Sequence, residues 1–426
     1  MLILADDLTG ANDTTIQFVK QGLSALYIAH NTFSESEMFA AYDVLSFNSD
    51  SRGMNSKDAY DTVRKLIKQI KAANIDGTYY KKIDSVLRGN PGSELAAVMD
   101  ELETPLAIVA PSFPANYSIL EHGMLKSGKT DSQAVINAVE IFAGSMDKKV
   151  ENIPLETIRQ GHLKAAEHLR ARHSEGVQVF VADALTDEDL AIIYSISTVI
   201  EERHILVGSA GLANQIAQKM TRSLETPIPI GLNAFFNEVP HVSLLIIAGT
   251  RQGETATQIV TLSNKLSVPI VRFKVDLVEN GNSEEAIELA FKEAAQSMGK
   301  NSKLCIIAVS SMFDSEIPEG NVMWNKADSD AGSDAISAAL GILVSKLVDS
   351  YRFQVLLTTG GDTSMKICNQ LGVTGIQPLA EICPGIPIGK IYGGNCENRY
   401  IITKSGRFGS SDTLVEILNY FHRRNQ

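Results

Sequence analysis

Short apolar runs alternate along the chain with longer segments of helical periodicity, and this alternation limits the fold more than any other feature. The runs have the length and the Val, Ile and Leu content of strands that are buried on both faces. They are Leu2–Ala5, Ala25–Ala29, Val44–Phe47, Tyr79–Ile83, Leu106–Ala110, Leu244–Ala248, Ile270–Phe273, Leu304–Val309 and Val355–Thr358. Because buried strands that alternate with helices form mostly parallel sheets flanked by helices, the sequence predicts an α/β fold.

Two of the intervening segments show a helical stripe most clearly. The first stripe precedes the run at Tyr79, and the second precedes the run at Val355. Their apolar positions recur as on one face of an amphipathic helix: Ala59, Val63, Leu66, Ile67 and Ile70, then Ile336, Leu340, Leu343 and Leu347. We expect both faces to be buried against a sheet.

The length of the chain favours two domains, since 426 residues exceed what a single core usually holds. The break is expected in the segment 223–242, which contains three prolines and keeps neither helical nor strand periodicity. Two α/β domains joined in this way would form a ligand cleft between them. The predicted division is a first domain, a linker and a second domain at 1–225, about 226–239 and 240–426.

Composition excludes several classes of partner. The formal net charge is −12, from 38 basic and 50 acidic residues, so neither nucleic acid nor an acidic membrane surface is expected to bind. No apolar run approaches the ~18 residues of a membrane span, and the first residues lack the basic segment of a signal peptide. The four cysteines show no paired spacing, which favours reduced structural thiols. We therefore expect a cytoplasmic protein that binds small molecules.

The first strand run ends in two acids, Asp6 and Asp7. In open α/β sheets ligands bind at the carboxyl ends of the strands, so one carboxylate could accept a proton there while the other orients a ligand. We expect a turn immediately after the acids, with Asn12 or Asp13 capping the next helix. The alternative is that the acids only cap the turn and the helix.

Polar groups also follow the fourth strand run. Lys82, Asp84 and Ser85 lie at its end, and Arg88 lies in the turn before a helix that begins at Pro91. Arginine offers a planar fork that matches a carboxylate, and lysine offers a mobile charge suited to phosphate. The alternative is that both cations are simply solvated.

In the second half of the chain, small and hydroxyl residues follow the strand runs instead. Gly249-Thr250 follows one run, and Gly360-Gly361-Asp362 follows another. Glycines let the backbone approach a phosphate closely, a helix N-terminus attracts it, and an aspartate could hold a metal. Further glycine-rich loops are expected at 384–394 and 403–414, beside Lys404. The loop after Gly249 is not a Walker A loop, because no Gly-Lys-Ser/Thr follows it at the required spacing, and a single glycine pair is often only a turn.

Taken in order, the motifs resemble those of the four-carbon acid sugar kinase family, whose members phosphorylate threonate, erythronate or oxo-tetronate. The matching segments are ADDLTGAND at 5–13, KKIDSVLRG at 81–89, APSFPAN at 110–116, GSAGLA at 208–213, GTRQGETATQI at 249–259, TTGGDTS at 358–364 and KSGRFGSSDTL at 404–414. The run GANDTTIQFVKQG at 10–22 is most similar to D-threonate kinases. The resemblance implies an acid-sugar-binding domain, then a nucleotide-binding domain, with ATP and Mg²⁺ as cofactors and the terminal hydroxyl as acceptor.

Together, the motifs and the resemblance define the candidate site residues. Asp7 is the first choice as general base, and Asp84 is its competitor. The charges of Lys82 and Arg88 are expected to lower the pKa of Asp84 and make it the weaker base. The acceptor is expected to contact Asp6, Lys82, Ser85, Arg88 and Asn116, with Arg88 on its carboxylate. The nucleotide is expected to contact Gly249, Thr250, Gln252, Gly360, Gly361, Asp362, Thr363, Lys404 and Gly406, with Asp362 also holding the magnesium ion.

The sequence departs from the family pattern at Tyr117-Ser118, where the family has Gly-Arg. This change in the acceptor loop leaves a rival interpretation open, a nucleotide-gated binding protein without catalysis. A second rival is a lyase or aldolase of sugar acids, which would not need the glycine loops. The choice among D-threonate, D-erythronate and 3-oxo-tetronate stays open, as does the oligomeric state, with a homodimer as one alternative.

Overall fold

The structure, a computed structural model, describes residues 1–29, 41–128, 134–221, 242–300, 303–313 and 330–423. The chain divides into two compact units, Met1–Pro229 and Ile230–Gln426. The linker predicted at 226–239 lies outside the described residues. Both units are α/β, with mostly parallel strands flanked by helices, which confirms the predicted fold class.

Parallel strands form the centre of the first unit. The strands described there are β1 (Leu2–Ala5), β2 (Ala25–Ile28), β3 (Val44–Asn48), β4 (Tyr79–Lys82), β5 (Leu106–Ala110), β6 (Ser118–Glu121), β7 (Met124–Ser127), β8 (Ala134–Asn137), β9 (Val150–Ile153), β10 (Val179–Ala182) and β11 (His204–Gly208). The main sheet has the order β2-β3-β1-β4-β11-β5-β10-β9, with parallel pairing throughout. Strands β6, β7 and β8 form a small antiparallel sheet. Each strand run predicted in this half is present.

Helices follow most of these strands. They are α1 (Leu8–Lys20), α2 (Ser56–Ala72), α3 (Pro91–Glu101), α4 (Ala138–Ala143), α5 (Leu155–Ile158), α6 (His162–Ser174), α7 (Asp187–Ser197) and α8 (Ala210–Thr221). Helix α2 buries the whole predicted stripe, because those residues share its inner face. Helices α1, α6, α7 and α8 contribute apolar side chains to one buried cluster with the strands, whereas α2 packs against α3.

The start of helix α1 differs from the prediction. The helix begins at Leu8, so Asn12 and Asp13 lie inside it and do not cap it. The cap is Asp7, whose backbone is extended and whose side chain accepts a hydrogen bond from the backbone N–H of Gly10. A carboxylate that meets the free N–H groups of the first turn stabilises the helix there. The predicted caps, Asn12 and Asp13, lie beyond that first turn.

The second unit repeats the architecture with an antiparallel edge. Its described strands are β12 (Leu244–Ala248), β13 (Ile270–Phe273), β14 (Leu304–Val309), β15 (Val355–Thr359), β16 (Gly375–Cys383), β17 (Ile386–Tyr392) and β18 (Tyr400–Lys404). The order β13-β14-β12-β15-β18 is parallel, and β17 and β16 then pair antiparallel. The glycine-rich loop predicted at 384–394 is therefore wrong. Most of that segment is β17, because Ile386, Ile388 and Ile391 are buried in the sheet.

Helices again connect the strands of the second unit. The described ones are α9 (Gly253–Leu266), α10 (Val275–Glu279), α11 (Ser283–Lys300), α12 (Asp330–Ser350), α13 (Gly361–Gln370) and α14 (Thr413–Arg423). The stripe predicted in α12 is buried, as its helical spacing indicates. Within the described ranges, no helix has the length and apolar character needed to cross a membrane.

Strand order decides which loops meet. In the first unit β1 lies between β3 and β4, and in the second unit β15 lies between β12 and β18. Because neighbouring strands are parallel in both trios, the segments that follow them emerge at the same edge of the sheet. These two edges carry the candidate site residues.

Candidate active site

The two acids predicted at the end of β1 occupy different environments. Asp6 is buried, with 2% of its surface exposed. Asp7 caps α1, and its Oδ1 accepts the backbone N–H of Gly10 at 2.7 Å. Capping was the alternative interpretation of these acids, but it uses only one oxygen of Asp7. The other oxygen remains available for a second contact.

That second contact comes from Arg52, a residue that the sequence analysis missed. Its guanidinium donates to both oxygens of Asp6, from Nε at 2.7 Å and from Nη2 at 2.9 Å. Its Nη1 donates to Oδ2 of Asp7 at 2.6 Å. Arg52 therefore fixes the two carboxylates relative to each other. The polar segment that follows β3 was its signal in the sequence, by the same rule that pointed to the ends of β1 and β4.

Asp84 is paired with Arg88 in a bidentate arrangement. Arg88 Nε lies 2.9 Å from Asp84 Oδ2, and Arg88 Nη2 lies 2.7 Å from Asp84 Oδ1. Arg52 Nη2 is 3.9 Å from the same Oδ1. The Arg88 side chain is still 59% exposed, so its guanidinium is reachable from solvent although one edge is occupied. An acceptor carboxylate would have to use the exposed edge or displace Asp84.

The three acids have different pKa values because their electrostatic surroundings differ. Burial raises the pKa of Asp7 to about 6, and the neighbouring Asp6 acts in the same direction, while Arg52 and Lys82 oppose the shift. Burial alone would also raise the pKa of Asp84, but Arg88 outweighs it, with help from Arg52 and Lys82, and holds that pKa well below its usual range. Arg52 likewise keeps the pKa of Asp6 low against the effect of burial. Asp7 is thus the most basic carboxylate of the three, and the predicted lowering at Asp84 is confirmed.

Lys82 is a buried cation beside Asp7. Only 4% of its surface is exposed, and its ammonium makes no hydrogen bond or ion pair within the described part of the chain. A Cβ atom added at Gly10 would lie 2.5 Å from Asp7 Oδ1 and 2.9 Å from Lys82 Nζ. The absent side chain of Gly10 therefore allows a basic carboxylate and a buried ammonium to approach the backbone of this residue closely. A buried charge in that position is suited to an anionic ligand.

The remaining predicted acceptor residues lie further out. The carbonyl of Ser85 accepts a hydrogen bond from the Ser118 hydroxyl at 2.6 Å, which joins the loop after β4 to strand β6. Asn116 lies in an exposed 3-10 turn and, within the described residues, makes no hydrogen bond to another predicted acceptor residue. The next residue, Tyr117, has a φ of 57°, a left-handed conformation that favours the glycine of the family pattern.

In the second unit, seven predicted residues line one cavity of about 300 Å³. They are Gly249, Thr250, Gln252, Gly360, Gly361, Asp362 and Thr363. Sequence analysis missed the opposite wall, which consists of Glu279, Val309, Gly332, Ser333, Ile336 and Ser337. Arg251, which lies within the range 250–252 that the family resemblance assigns to the nucleotide, also lines the cavity. The cavity lies at the carboxyl ends of β12 and β15, at the start of α13.

Close backbone approach shapes this cavity. Gly360 has a φ of 96°, which residues with a side chain rarely adopt. A Cβ atom added at Gly249 would lie 2.2 Å from Thr363 Oγ1, and one added at Gly406 would lie 2.6 Å from Thr250 Oγ1. The glycines therefore let three strand-end loops converge near the N-terminus of α13. Such an arrangement suits phosphate groups.

Lys404 and Gly406 support the cavity from outside its wall. Lys404 is 1% exposed, and its ammonium donates to Thr255 Oγ1 at 3.3 Å and to the carbonyl of Ser405 at 2.8 Å. Burial lowers the pKa of Lys404 to about 8. The Thr255 hydroxyl in turn donates to the carbonyl of Gly406 at 2.7 Å. Lys404 thus holds the loop around Gly406 in place, and its ammonium does not line the cavity as described.

The fit of a metal ion rests on Asp362. Its side chain is exposed in the first turn of α13 and lines the cavity. Among the described residues, no cluster of three His, Cys, Asp or Glu side chains could hold a metal alone. Mg²⁺ is commonly bound through one or two carboxylates together with nucleotide phosphates, so these residues fit an ion that arrives with its nucleotide.

Two family models match the chain in sequence. "Sugar-binding N-terminal domain" matches residues 1–216, and "Nucleotide-binding C-terminal domain" matches residues 245–414. A D-threonate kinase of Salmonella typhimurium is 26% identical over 99% of this chain and 98% of its own length. A D-erythronate kinase of Heliobacterium modesticaldum is also 26% identical, over 99% and 96%. A 3-oxo-tetronate kinase of Haemophilus influenzae is 21% identical, over 96% and 97%.

A solved structure supports the same fold. The chain superposes on a crystal structure of a Salmonella typhimurium protein with a TM-score of 0.76 and 19% sequence identity, covering 100% of this chain and 99% of that one. At that identity the likeness concerns the fold alone. The family models and the relatives in turn span almost the whole chain, including both groups of site residues.

Proposed function

Since the chain belongs to the four-carbon acid sugar kinase family, we propose that it transfers the γ-phosphoryl group of ATP to the terminal hydroxyl of such an acid. D-threonate is the proposed acceptor, which gives D-threonate 4-phosphate. The relatives include kinases named for D-threonate, D-erythronate and 3-oxo-tetronate at similar identities, so the choice of acceptor rests on the D-threonate-like segment 10–22.

The observation that carries the proposal is the placement of Asp7 and Lys82 beside the same residue, Gly10. A carboxyl whose pKa is about 6 is ionised at neutral pH yet basic enough to accept a proton from an alcohol. Asp7 Oδ1 and Lys82 Nζ both lie close to Gly10. A hydroxyl bound beside these two groups would give its proton to Asp7 while Lys82 neutralises the phosphoryl oxygens. Asp84 is a weak base by comparison, and its role is to orient Arg88.

The acceptor carboxylate is expected to meet the exposed edge of Arg88. This guanidinium is held by Asp84 and faces solvent. A charge-assisted contact of this kind fixes the acid at one end and so directs its terminal hydroxyl toward Asp7. Arg52 already donates three hydrogen bonds to the two carboxylates that it holds, and it acts on the reaction by keeping Asp7 in place.

The second-unit cavity would bind ATP. Its glycine loops and the N-terminus of α13 would receive the phosphates, and Asp362 would contact Mg²⁺. The ion, when bound, would neutralise charge on the phosphoryl groups. The ligand cleft between the two domains, the homodimer and the cytoplasmic location stay predictions.

Coupled measurement of ADP release tests the proposal. We expect Mg²⁺-dependent release with ATP and D-threonate, and a lower kcat/KM with D-erythronate and 3-oxo-tetronate. A higher kcat/KM with either of those acids would change the acceptor and keep the reaction. If none of the three acids stimulates ADP release, the proposed kinase activity is wrong, and tight nucleotide binding without turnover would favour the binding protein.

A further inference from the structure

A buried ion pair lies directly behind the acceptor site. Lys81 and Glu94 are 0% and 1% exposed in their side chains, and Lys81 Nζ lies 2.7 Å from Glu94 Oε2. Successive strand residues point to opposite faces of a sheet. Lys82 therefore faces Gly10 of α1, while Lys81 faces Glu94 of α3 on the other side. Neither Lys81 nor Glu94 takes part in the proposed reaction.

The pair is the centre of a continuous hydrogen-bond network. Lys81 Nζ also donates to the carbonyls of Leu4 at 3.3 Å and Lys82 at 2.8 Å. The Ser51 hydroxyl donates to Glu94 Oε1 at 2.6 Å and lies 2.7 Å from the Ser49 hydroxyl. The Ser49 hydroxyl in turn donates to the carbonyl of Ala5 at 2.9 Å. The network thus joins the ends of β1, β3 and β4 to the first turn of α3.

Three members of the network directly precede residues of the acceptor site. Ala5 precedes Asp6, and Ser51 precedes Arg52, whose backbone N–H reaches the Asp6 carbonyl at 3.3 Å. Lys81 precedes Lys82 in the same way. A shift of one strand end would consequently move a carboxylate, the arginine that holds it, or the buried ammonium. Displacements of about 1 Å in such groups can cost a hundredfold in rate.

We propose that Lys81 and Glu94 are positioning residues for phosphoryl transfer. Through Ser51 and the carbonyls of Leu4 and Lys82, they set the distances among Asp7, Arg52 and Lys82. The inference rests on the proposed function, because the quantity that it explains is the rate of that reaction. The competing interpretation is that the pair only stabilises the first unit.

A double variant separates the two interpretations. Replacing a buried ion pair by apolar residues of similar volume is often tolerated by the fold. We therefore expect Lys81→Met/Glu94→Leu to fold, with a Tm within about 5 °C of the wild type. Because the hydrogen bonds to Ser51 and to the two carbonyls are lost, kcat for the acid should fall at least about tenfold. The Kd for ATP should stay within about twofold, since that cavity belongs to the other unit.

Two further variants complete the test. Ser51→Ala leaves the ion pair intact and removes its link to the Arg52 loop, so kcat should still fall by about threefold or more, with a Tm lowered by only a few degrees, even if the double variant does not fold. Lys148→Met is the matched control, because Lys148 pairs with Asp100 at 2.8 Å at the opposite end of the same helix α3. That variant should keep the wild-type kcat.

The outcomes are distinct from those that concern the proposed function. Wild-type enzyme without ADP release would refute the function itself. The positioning role is refuted if the wild type turns over and a folded double variant and Ser51→Ala both keep its kcat. Amide hydrogen exchange of residues 49–52 gives a readout that needs no turnover: faster exchange in the double variant supports the network, and unchanged exchange contradicts it.

Discussion

The two sets of strand ends differ in the kind of group that they present. In the first unit, the ends of β1, β3 and β4 and the loops after them bring together three acids, two arginines and a buried lysine. In the second unit, the loops after β12 and β15 present mainly glycines, threonines and backbone, and charged side chains line only part of the cavity. Each arrangement lies at the carboxyl ends of the parallel strands of its own unit. The strands thus set the position of each site, and the residues of the loops determine its chemistry.

The difference predicts two kinds of response to mutation. Fixed charges can alter proton transfer and the stabilisation of anions, so changes in the first unit should act on the rate or on acceptor affinity. A cavity shaped by absent side chains depends on space and backbone conformation, so added carbon atoms in the second unit should act on nucleotide affinity. A first-unit variant that mainly loses ATP affinity, or a second-unit variant that mainly loses rate or acceptor affinity, would contradict this contrast.

The largest effect is expected from removing the proposed base. Asp7→Asn keeps the size of the side chain and removes its charge. We expect kcat to fall at least about a hundredfold, because the carboxylate is the group that accepts the proton. The Kd for ATP should stay within about threefold, measured by calorimetry.

Asp84→Asn is the matched comparison for this experiment. The low pKa of Asp84 makes it a poor base, so its loss should act mainly by freeing Arg88. Retained turnover in Asp7→Asn with loss of turnover in Asp84→Asn would transfer the role to Asp84. Retained turnover in both variants would leave neither acid as the base.

Acceptor affinity should depend on Arg88. A charge-assisted contact to the acid's carboxylate is worth roughly 1.5–3 kcal/mol, so Arg88→Ala should raise the KM for the acid about ten- to a hundredfold. The Kd for ATP should change little. Arg172→Ala is a suitable control, because this arginine also makes a bidentate pair, with Glu151, but not with any predicted site residue. If ATP affinity falls in Arg88→Ala and the KM for the acid does not, Arg88 meets the phosphates.

In the second unit, the prediction concerns a glycine whose backbone conformation shapes the cavity. Gly360→Val places a side chain at a φ of 96° in the wall of the cavity, and we expect ATP to bind at least tenfold more weakly, about 1.4 kcal/mol. Gly161→Ala is the control, since Gly161 has a φ of 98° with no atom within 4 Å of the added Cβ. Both variants strain the backbone, but only the first should change ATP affinity. Equal loss in both would indicate a general effect on folding.

The contrast between the units also explains what could be predicted from the sequence. Buried strands such as Leu2–Ala5 and Leu244–Ala248 were predictable because continuous apolar runs have few alternatives in an α/β chain. Residues directly after such a strand, including Asp7 and Gly249, were found by the same rule. The wrong loop at 384–394 shows its limit, because Gly385 marks only a turn and alternating isoleucines then form an antiparallel strand.

The missed residues depend on contacts that are distant in sequence. Arg52 lies several residues beyond β3, and its partners became apparent only from the strand order β3-β1-β4. In α12, Ile336 was placed correctly on the buried face, yet this residue also reaches the cavity, where Ser333 and Ser337 accompany it. One helical stripe does not reveal which part of it meets a core and which part meets a ligand. The raised pKa of Asp7 likewise follows from its burial in the folded chain, which could not be predicted from the sequence.

The smallest effect is expected from Arg52→Lys, and it appears in the pH dependence. Asp7 must be ionised to act as base, so kcat should decline as pH falls below about 6, where its carboxyl takes up a proton. The positive charge of Arg52 favours the carboxylate form, together with Lys82 and against Asp6. A lysine cannot reach both acids at once, because it lacks the planar fork that now spans them.

The stabilisation of the carboxylate should therefore weaken in Arg52→Lys, its pKa should rise, and the acid limb of the kcat profile should move to higher pH. We expect kcat to fall about threefold or more at pH 6 and less than twofold at pH 8, where Asp7 is ionised in either enzyme. The same profile measured with Lys148→Met should match the wild type, since that lysine pairs with Asp100 at the far end of α3. An equal loss of kcat at pH 6 and pH 8 would mean that Arg52 acts only by holding the loops in place. If the acid limb of the kcat profile moved to lower pH, the role of Asp7 as the titrating base would be contradicted.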